Sequence, residues 1–147
     1  PVRGQSLRLR GPELLRHVVR HPDVYLVPRA GGELLVGATV EEQGFEPVAT
    51  AGGVLDLLRF AWQVLPGIYD LELHELAIGL RPAVRDHLPV IGAGALDGLF
   101  LATGHYRSGI LLAPATAQHL AEMIVSGRPQ PALAPFAPER LAARAAP

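Results

Sequence analysis

Hydrophobic and polar positions change period several times along the chain. Leu7-Arg8-Leu9-Arg10 alternates with the period of two of a half-buried strand. Apolar runs at 23–28 and 34–39 flank Arg29-Ala30-Gly31-Gly32-Glu33, a length and glycine content that predict an antiparallel hairpin with Pro28 at a strand end or edge. Residues 50–65 shift to the helical period: Val54, Leu57, Leu58, Ala61, Trp62 and Leu65 share a face, Asp56, Arg59 and Gln63 fall elsewhere, and Pro66-Gly67 stops the helix. Strands are predicted over 71–80 and 88–91, and a compact buried strand over 98–103 ending in Gly104. A second helix over 110–125 closes at Ser126-Gly127. From Arg128 onward, five prolines in 20 residues and a run of alanines predict a tail on a surface or disordered. Hairpins interspersed with two helices give an α+β class with an antiparallel sheet, and the strand–turn–helix unit at 98–125 looks like a piece of a different layer.

Composition narrows the chemistry. The chain has 147 residues, 49% hydrophobic and 18% charged, with a net charge of -1, which suits a packed domain and disfavours both disorder and a nucleic-acid-binding basic face. All 13 basic residues are arginine, so Schiff-base and phosphate-loop lysines drop out. No cysteine is present, which removes thiol nucleophiles, disulfides and thiolate-ligated metals. No apolar run reaches the ~18 residues of a membrane span, and no signal-peptide pattern opens the sequence. The sequence starts at Pro1 and its only methionine is Met123, so either a leader has been removed or, the reading preferred here, it is the C-terminal part of a longer protein.

The segment Ala102-Thr103-Gly104-His105-Tyr106-Arg107-Ser108-Gly109-Ile110-Leu111-Leu112-Ala113-Pro114 carries the strongest chemical signal. A strand entering a two-glycine turn and then a helix aims free backbone N–H groups and the positive end of the helix dipole outward, toward an anion or an electron-rich ring. The bland alternative is a permissive turn with Arg107 as a solvated charge. In Gly79-Leu80-Arg81-Pro82, Arg81 is a candidate two-point clamp for a carboxylate. Its alternative is an ion pair with Glu72, Glu75 or Asp86. Tyr25, on the first hairpin strand, reads from its neighbours as a core ring. The six histidines show no helical H-x-x-x-H pair, and no Gly-x-Ser-x-Gly occurs, so neither a metal site nor a hydrolase triad is indicated. Gly92-Ala93-Gly94-Ala95-Leu96-Asp97-Gly98 has the wrong spacing for a dinucleotide loop, and Asp97-Gly98 reads as a hairpin turn.

Taken together, Pro1-Val2-Arg3-Gly4-Gln5, Tyr25-Leu26-Val27-Pro28-Arg29, Leu35 through Phe45, Gly79-Leu80-Arg81-Pro82 and Thr103 through Pro114 resemble, in order and spacing, the C-terminal part of the glycine oxidase family. These are FAD-dependent amine oxidases of the D-amino-acid oxidase and sarcosine oxidase superfamily, linked to thiamine biosynthesis. The resemblance runs from Pro1 to about Arg140. It implies a fragment of a two-domain flavin oxidase: an antiparallel-sheet substrate domain over 6–92, the C-terminal portion of an FAD-binding α/β domain over 1–5 and 93–127, and a Pro/Ala-rich tail over 128–147. It further implies that Arg81 and Arg107 bind the substrate carboxylate, that Tyr25 lines the substrate pocket, and that His105, Tyr106, Arg107, Ser108, Gly109, Ile110 and Leu111 lie against the flavin. The implied partners are a small amino acid such as glycine, sarcosine or a D-amino acid, oxygen as acceptor giving hydrogen peroxide, and the N-terminal FAD-binding part that these residues lack. A cytoplasmic enzyme is expected, and homo-oligomerisation is left open. A non-redox module binding small carboxylates, or a dehydrogenase passing electrons to a quinone, are the competing readings. Because the glycine-rich pyrophosphate loop is absent from the sequence, the chain by itself is expected to be inactive.

Overall fold

The computed structural model describes residues 1–142, so the end of the expected tail, 143–147, lies outside the described residues. The backbone divides into two compact units, Pro1–Leu80 and Arg81–Pro147.

The first unit is a five-stranded sheet in the order β2-β3-β4-β1-β5, with β1 Val2–Arg10, β2 Val19–Arg20, β3 Tyr25–Arg29, β4 Glu33–Gly37 and β5 Glu72–Arg81. β3 and β4 form the expected antiparallel hairpin, and β4 continues antiparallel onto β1. Its register aligns Leu7, Val36 and Leu26 across three strands and sets Leu9 beside Leu34, so the alternation puts these side chains on one face. Helix α1, Ala51–Val64, packs on that face and buries Leu57 and Ala61 in the same cluster. The predicted apolar stripe of α1 is wider than the buried one. Trp62 follows Ala61 by one residue, about 100° around the helix, and is exposed.

β1 is longer than its alternating stretch because Val2, Arg3, Gly4 and Gln5 are all buried, which hides the period of two. The two polar members are paired. Arg3, 5% exposed, donates from Nε and Nη2 to Glu41 Oε2, while Gln5 Nε2 donates to Glu41 Oε1 at 2.7 Å and to Thr50 Oγ1 at 2.9 Å. The Thr50 N–H donates back to Gln5 Oε1 at 3.1 Å, and Thr50 caps α1 by accepting from Gly53 N. One amide thus joins the sheet to the helix start. Burial pushes the Glu41 carboxyl up, but the hydrogen bonds from Thr39, Gln5 and Arg3 and the charge of Arg3 outweigh it and hold the group below its usual 4.5.

In the second unit β6, Val90–Ala93, and β7, Phe100–Thr103, form an antiparallel hairpin closed by the Asp97-Gly98 turn, with Gly94 N donating to Leu99 O at 2.8 Å. The expectation that β7 is buried is corrected: Ala102 and Thr103 are exposed, because within the described residues β7 pairs with β6 alone. Helix α2, Gly109–Ser126, ends at Gly127 in the left-handed conformation, as predicted. The tail is also corrected in part. A 3₁₀ turn over Pro131–Phe136 buries Leu133, and helix α3 covers Glu139–Ala142. No helix among the described residues is long and apolar enough to cross a membrane.

Candidate functional site

The turn between β7 and α2 is built to hold its backbone in one shape. Gly104 is buried with φ of +76°, a conformation that a Cβ would strain, and an added Cβ would come within 3.4 Å of Val90 N. His105 shares a hydrogen bond between Nε2 and Thr116 Oγ1 at 2.9 Å, tying the turn to the second turn of α2. Ser108 N donates to His105 O at 2.9 Å, but the Ser108 side chain makes no cap. The N–H groups of Gly109, Ile110 and Leu111 therefore point out of the helix start without an intrahelical acceptor. Pro114 lacks an N–H, so the Ile110 carbonyl also has no partner one turn on. Ile110 is 97% and Leu111 81% exposed, an apolar pair beside those polar groups. Arg107 is exposed and makes no ion pair or hydrogen bond among the described residues.

Tyr106 joins this turn to the segment that follows Arg81. Its N–H donates to Pro82 O at 2.9 Å, and its ring stacks on His87 with centroids 4.5 Å apart at 21°. Both residues have positive φ, 53° for Tyr106 and 58° for His87, uncommon for residues with a side chain. The two arginine motifs are thus brought together through their backbones: Arg81 precedes the accepting carbonyl and Arg107 follows the donating amide. Arg81 is half-buried at the end of β5, and Arg85 is exposed on the loop. Arg81 is not without a partner among the described residues; of the acids considered for it, Glu75 lies 3.3 Å from Arg8 and Asp86 also pairs with Arg140.

Tyr25 belongs to the first unit. The register pairs it with Gly37 on β4, and its half-buried ring lies across that glycine, where an added Cβ would come within 2.4 Å of the phenol. It alternates with buried Leu26, so it stands on the sheet face opposite the α1 core and is not the core ring its neighbours suggested.

Several contributors escaped the sequence reading. Gly37 is legible only once the register places it under Tyr25. Thr116 left a trace, the first polar side chain in the otherwise apolar first half of α2. His87 left none, since its role depends on a left-handed backbone and a contact with Tyr106, 19 positions away. Arg140 lies 54 positions from Asp86, in a segment whose composition reads as tail.

The model of the family described as FAD dependent oxidoreductase (DAO) matches residues 1–123. The chain is 43% identical over 141 residues to the bifunctional protein ThiO/ThiG of Nostoc sp. (strain PCC 7120 / SAG 25.82 / UTEX 2576), covering 92% of this chain and 22% of that protein. It is 39% identical over 127 residues to glycine oxidase of Bacillus licheniformis, covering 85% of this chain and 34% of that one. The crystal structure of glycine oxidase from Geobacillus kaustophilus superposes with a TM-score of 0.83 at 39% identity, over 93% of this chain and 38% of the other. The chain therefore spans between about a fifth and two fifths of the length of these relatives.

Proposed function

The chain belongs to the FAD dependent oxidoreductase family, and on that premise we propose that it forms the substrate side of an oxidase for glycine or a similarly small amino acid, working together with an FAD-binding part that the relatives' extra length contains. The observation that carries this reading is the hydrogen bond between Tyr106 N and Pro82 O, which couples the Arg81 and Arg107 segments. Two guanidinium groups on coupled segments suit a carboxylate, which each can hold through two parallel hydrogen bonds.

The residues of the turn between β7 and α2 fit a flavin. A fused ring with an apolar benzenoid end and a hydrogen-bonding pyrimidine end matches exposed Ile110 and Leu111 beside the free N–H groups of residues 109–111. We assign His105, Tyr106, Arg107, Ser108, Gly109, Ile110 and Leu111 to that surface, and the helix start favours negative charge on the pyrimidine side. Bound FAD would supply the two-electron oxidation of the amine and the reduction of oxygen to hydrogen peroxide. This chain's part is to fix the carboxylate with Arg81 and Arg107, to present the Cα–H bond in one orientation, and to wall the pocket with Tyr25; no side chain needs to act as a nucleophile. Glycine, oxygen and water then give glyoxylate, ammonia and hydrogen peroxide. A place in thiamine biosynthesis and in the cytoplasm belongs to the same reading, as does passage of the imine to thiazole formation before it hydrolyses.

The test joins the chain to an FAD-binding N-terminal part and measures peroxide with glycine, sarcosine and ethylamine. Peroxide with the first two and not with ethylamine is expected, since ethylamine has no carboxylate. A yellow protein that reduces an artificial acceptor with glycine yet makes no peroxide would favour the quinone-linked dehydrogenase. A colourless protein that still binds small carboxylates would favour the non-redox module.

A further inference from the structure

Arg140 is the most fully engaged cation among the described residues of the second unit, and the reading above gives it no role. Its Nε donates to Asp86 Oδ2 at 3.2 Å and its Nη2 to Asp86 Oδ1 at 3.4 Å, a two-point pair in which both side chains are more than four-fifths buried. The same guanidinium donates to Leu88 O at 2.8 Å, Phe136 O at 2.9 Å and Ala137 O at 3.3 Å. Asp86 Oδ1 also accepts from Leu88 N at 3.1 Å. Every donor direction of the planar fork is therefore used, three bonds on the loop between Arg81 and β6 and two on the end of the 3₁₀ turn before α3.

That loop is the one that meets the Tyr106 turn. Pro82 O takes the Tyr106 amide, and His87, next to Asp86, takes the Tyr106 ring. His87 and Tyr106 both sit in the left-handed region, which persists only where surrounding contacts over-determine it. Arg140 thus holds both chain neighbours of His87, Asp86 through its carboxylate and Leu88 through its carbonyl.

From this we infer that Arg140 is a positioning residue for carboxylate binding: by clasping Asp86 and Leu88 it holds the 82–89 loop so that Pro82 and His87 keep Tyr106, and with it Arg107, in register with Arg81. The inference rests on the two-arginine reading above. Arg140 touches no reacting atom and acts only through the loop. A lysine at this position could meet Asp86 or a carbonyl but not span all five acceptor atoms, so charge alone does not replace it.

The test uses the FAD-loaded polypeptide that joins this chain to an FAD-binding part, in wild-type form and as Arg140→Ala, Arg140→Lys and Asp86→Asn. Amide hydrogen exchange reads the loop, and acetate titration of the flavin absorbance reads the anion site. Faster exchange over 82–89 and at the Tyr106 amide is expected in all three, with unchanged FAD content and acetate affinity weakened about tenfold or more in Arg140→Ala. Arg140→Lys should fall between. If Arg140→Ala does not fold, the nearly isosteric Asp86→Asn decides, since it leaves the three backbone bonds of Arg140 in place. Wild-type protein that binds acetate, with variants that bind it equally well despite a looser loop or a lower Tm, overturns this inference alone. Wild-type protein that binds flavin but no acetate overturns the two-arginine reading and this inference with it.

Discussion

Arg81 and Arg85 stand four residues apart, yet opposite sensitivities are expected of them. Arg81 is half-buried where β5 ends and Arg85 is exposed on the following loop. In the FAD-loaded polypeptide, Arg81→Lys should lower kcat/KM for glycine by ~30-fold to several thousand-fold, the equivalent of ~2–5 kcal/mol, while Arg85→Ala should change it by less than ~1 kcal/mol. Steady-state kinetics on both variants checks this, and a steep loss in Arg85→Ala with none in Arg81→Lys would move the clamp. Tyr25→Phe should raise KM more than it lowers kcat, because a wall residue acts on binding. Gly37→Ala should have a larger effect on KM than Tyr25→Phe, since its methyl would drive into the Tyr25 ring. Glu41 bears on stability through pH. Its carboxyl is held below 4.5 in the folded chain, so its contribution is full above pH 4.5 and is lost as pH falls through the lower folded value. Glu41→Gln should cost about 2–3 kcal/mol at neutral pH, with the gap to wild type closing in acid, as urea unfolding against pH would measure. At this scale the sequence displays arginines and a tyrosine by type, but the groups that hold them, Gly37, His87 and Arg140, matter through pairings that no local spacing encodes.

Elements were more legible than residues wherever one face is buried and the other wet. α1 spans Ala51–Val64 with Thr50 as its cap, within a residue of its predicted limits, because the 3.6-residue period, the threonine and Pro66 all agree. The β3–β4 hairpin follows for the same reason. The alternation marks β1 only from Leu7, since its first residues are buried on both faces and include Arg3 and Gln5, whose partners lie 34 or more positions away. Thr50→Ala should show how closely sheet and helix are coupled. A lost cap alone costs about 1 kcal/mol. Here the Gln5 amide also loses an acceptor, so about 2 kcal/mol is expected, and Thr50→Ser should restore most of it. A cost below half that figure in urea unfolding would show that the Gln5–Thr50 link contributes little.

At the scale of the molecule, α2 is the element least satisfied by the described residues. It is apolar around most of its circumference, yet Ile110, Leu111 and Val125 are exposed and Thr116 is its one buried residue. A helix of that character is ordinarily enclosed. The chain also covers only 38% of the Geobacillus kaustophilus enzyme. Both observations suit a chain that completes its site with further polypeptide. The isolated 147 residues are therefore expected to hold little FAD and to form no glycine-dependent peroxide, and joining the FAD-binding part is expected to restore both. The most direct measurement is anaerobic addition of glycine to that joined, FAD-loaded protein while the visible flavin band is followed. The band is expected to bleach in the wild-type protein, and with Arg107→Ala bleaching should require far more glycine although the flavin is bound as before. A flavin that is bound but not bleached by glycine, sarcosine or any small D-amino acid, or one that bleaches equally well without Arg107, would contradict that expectation.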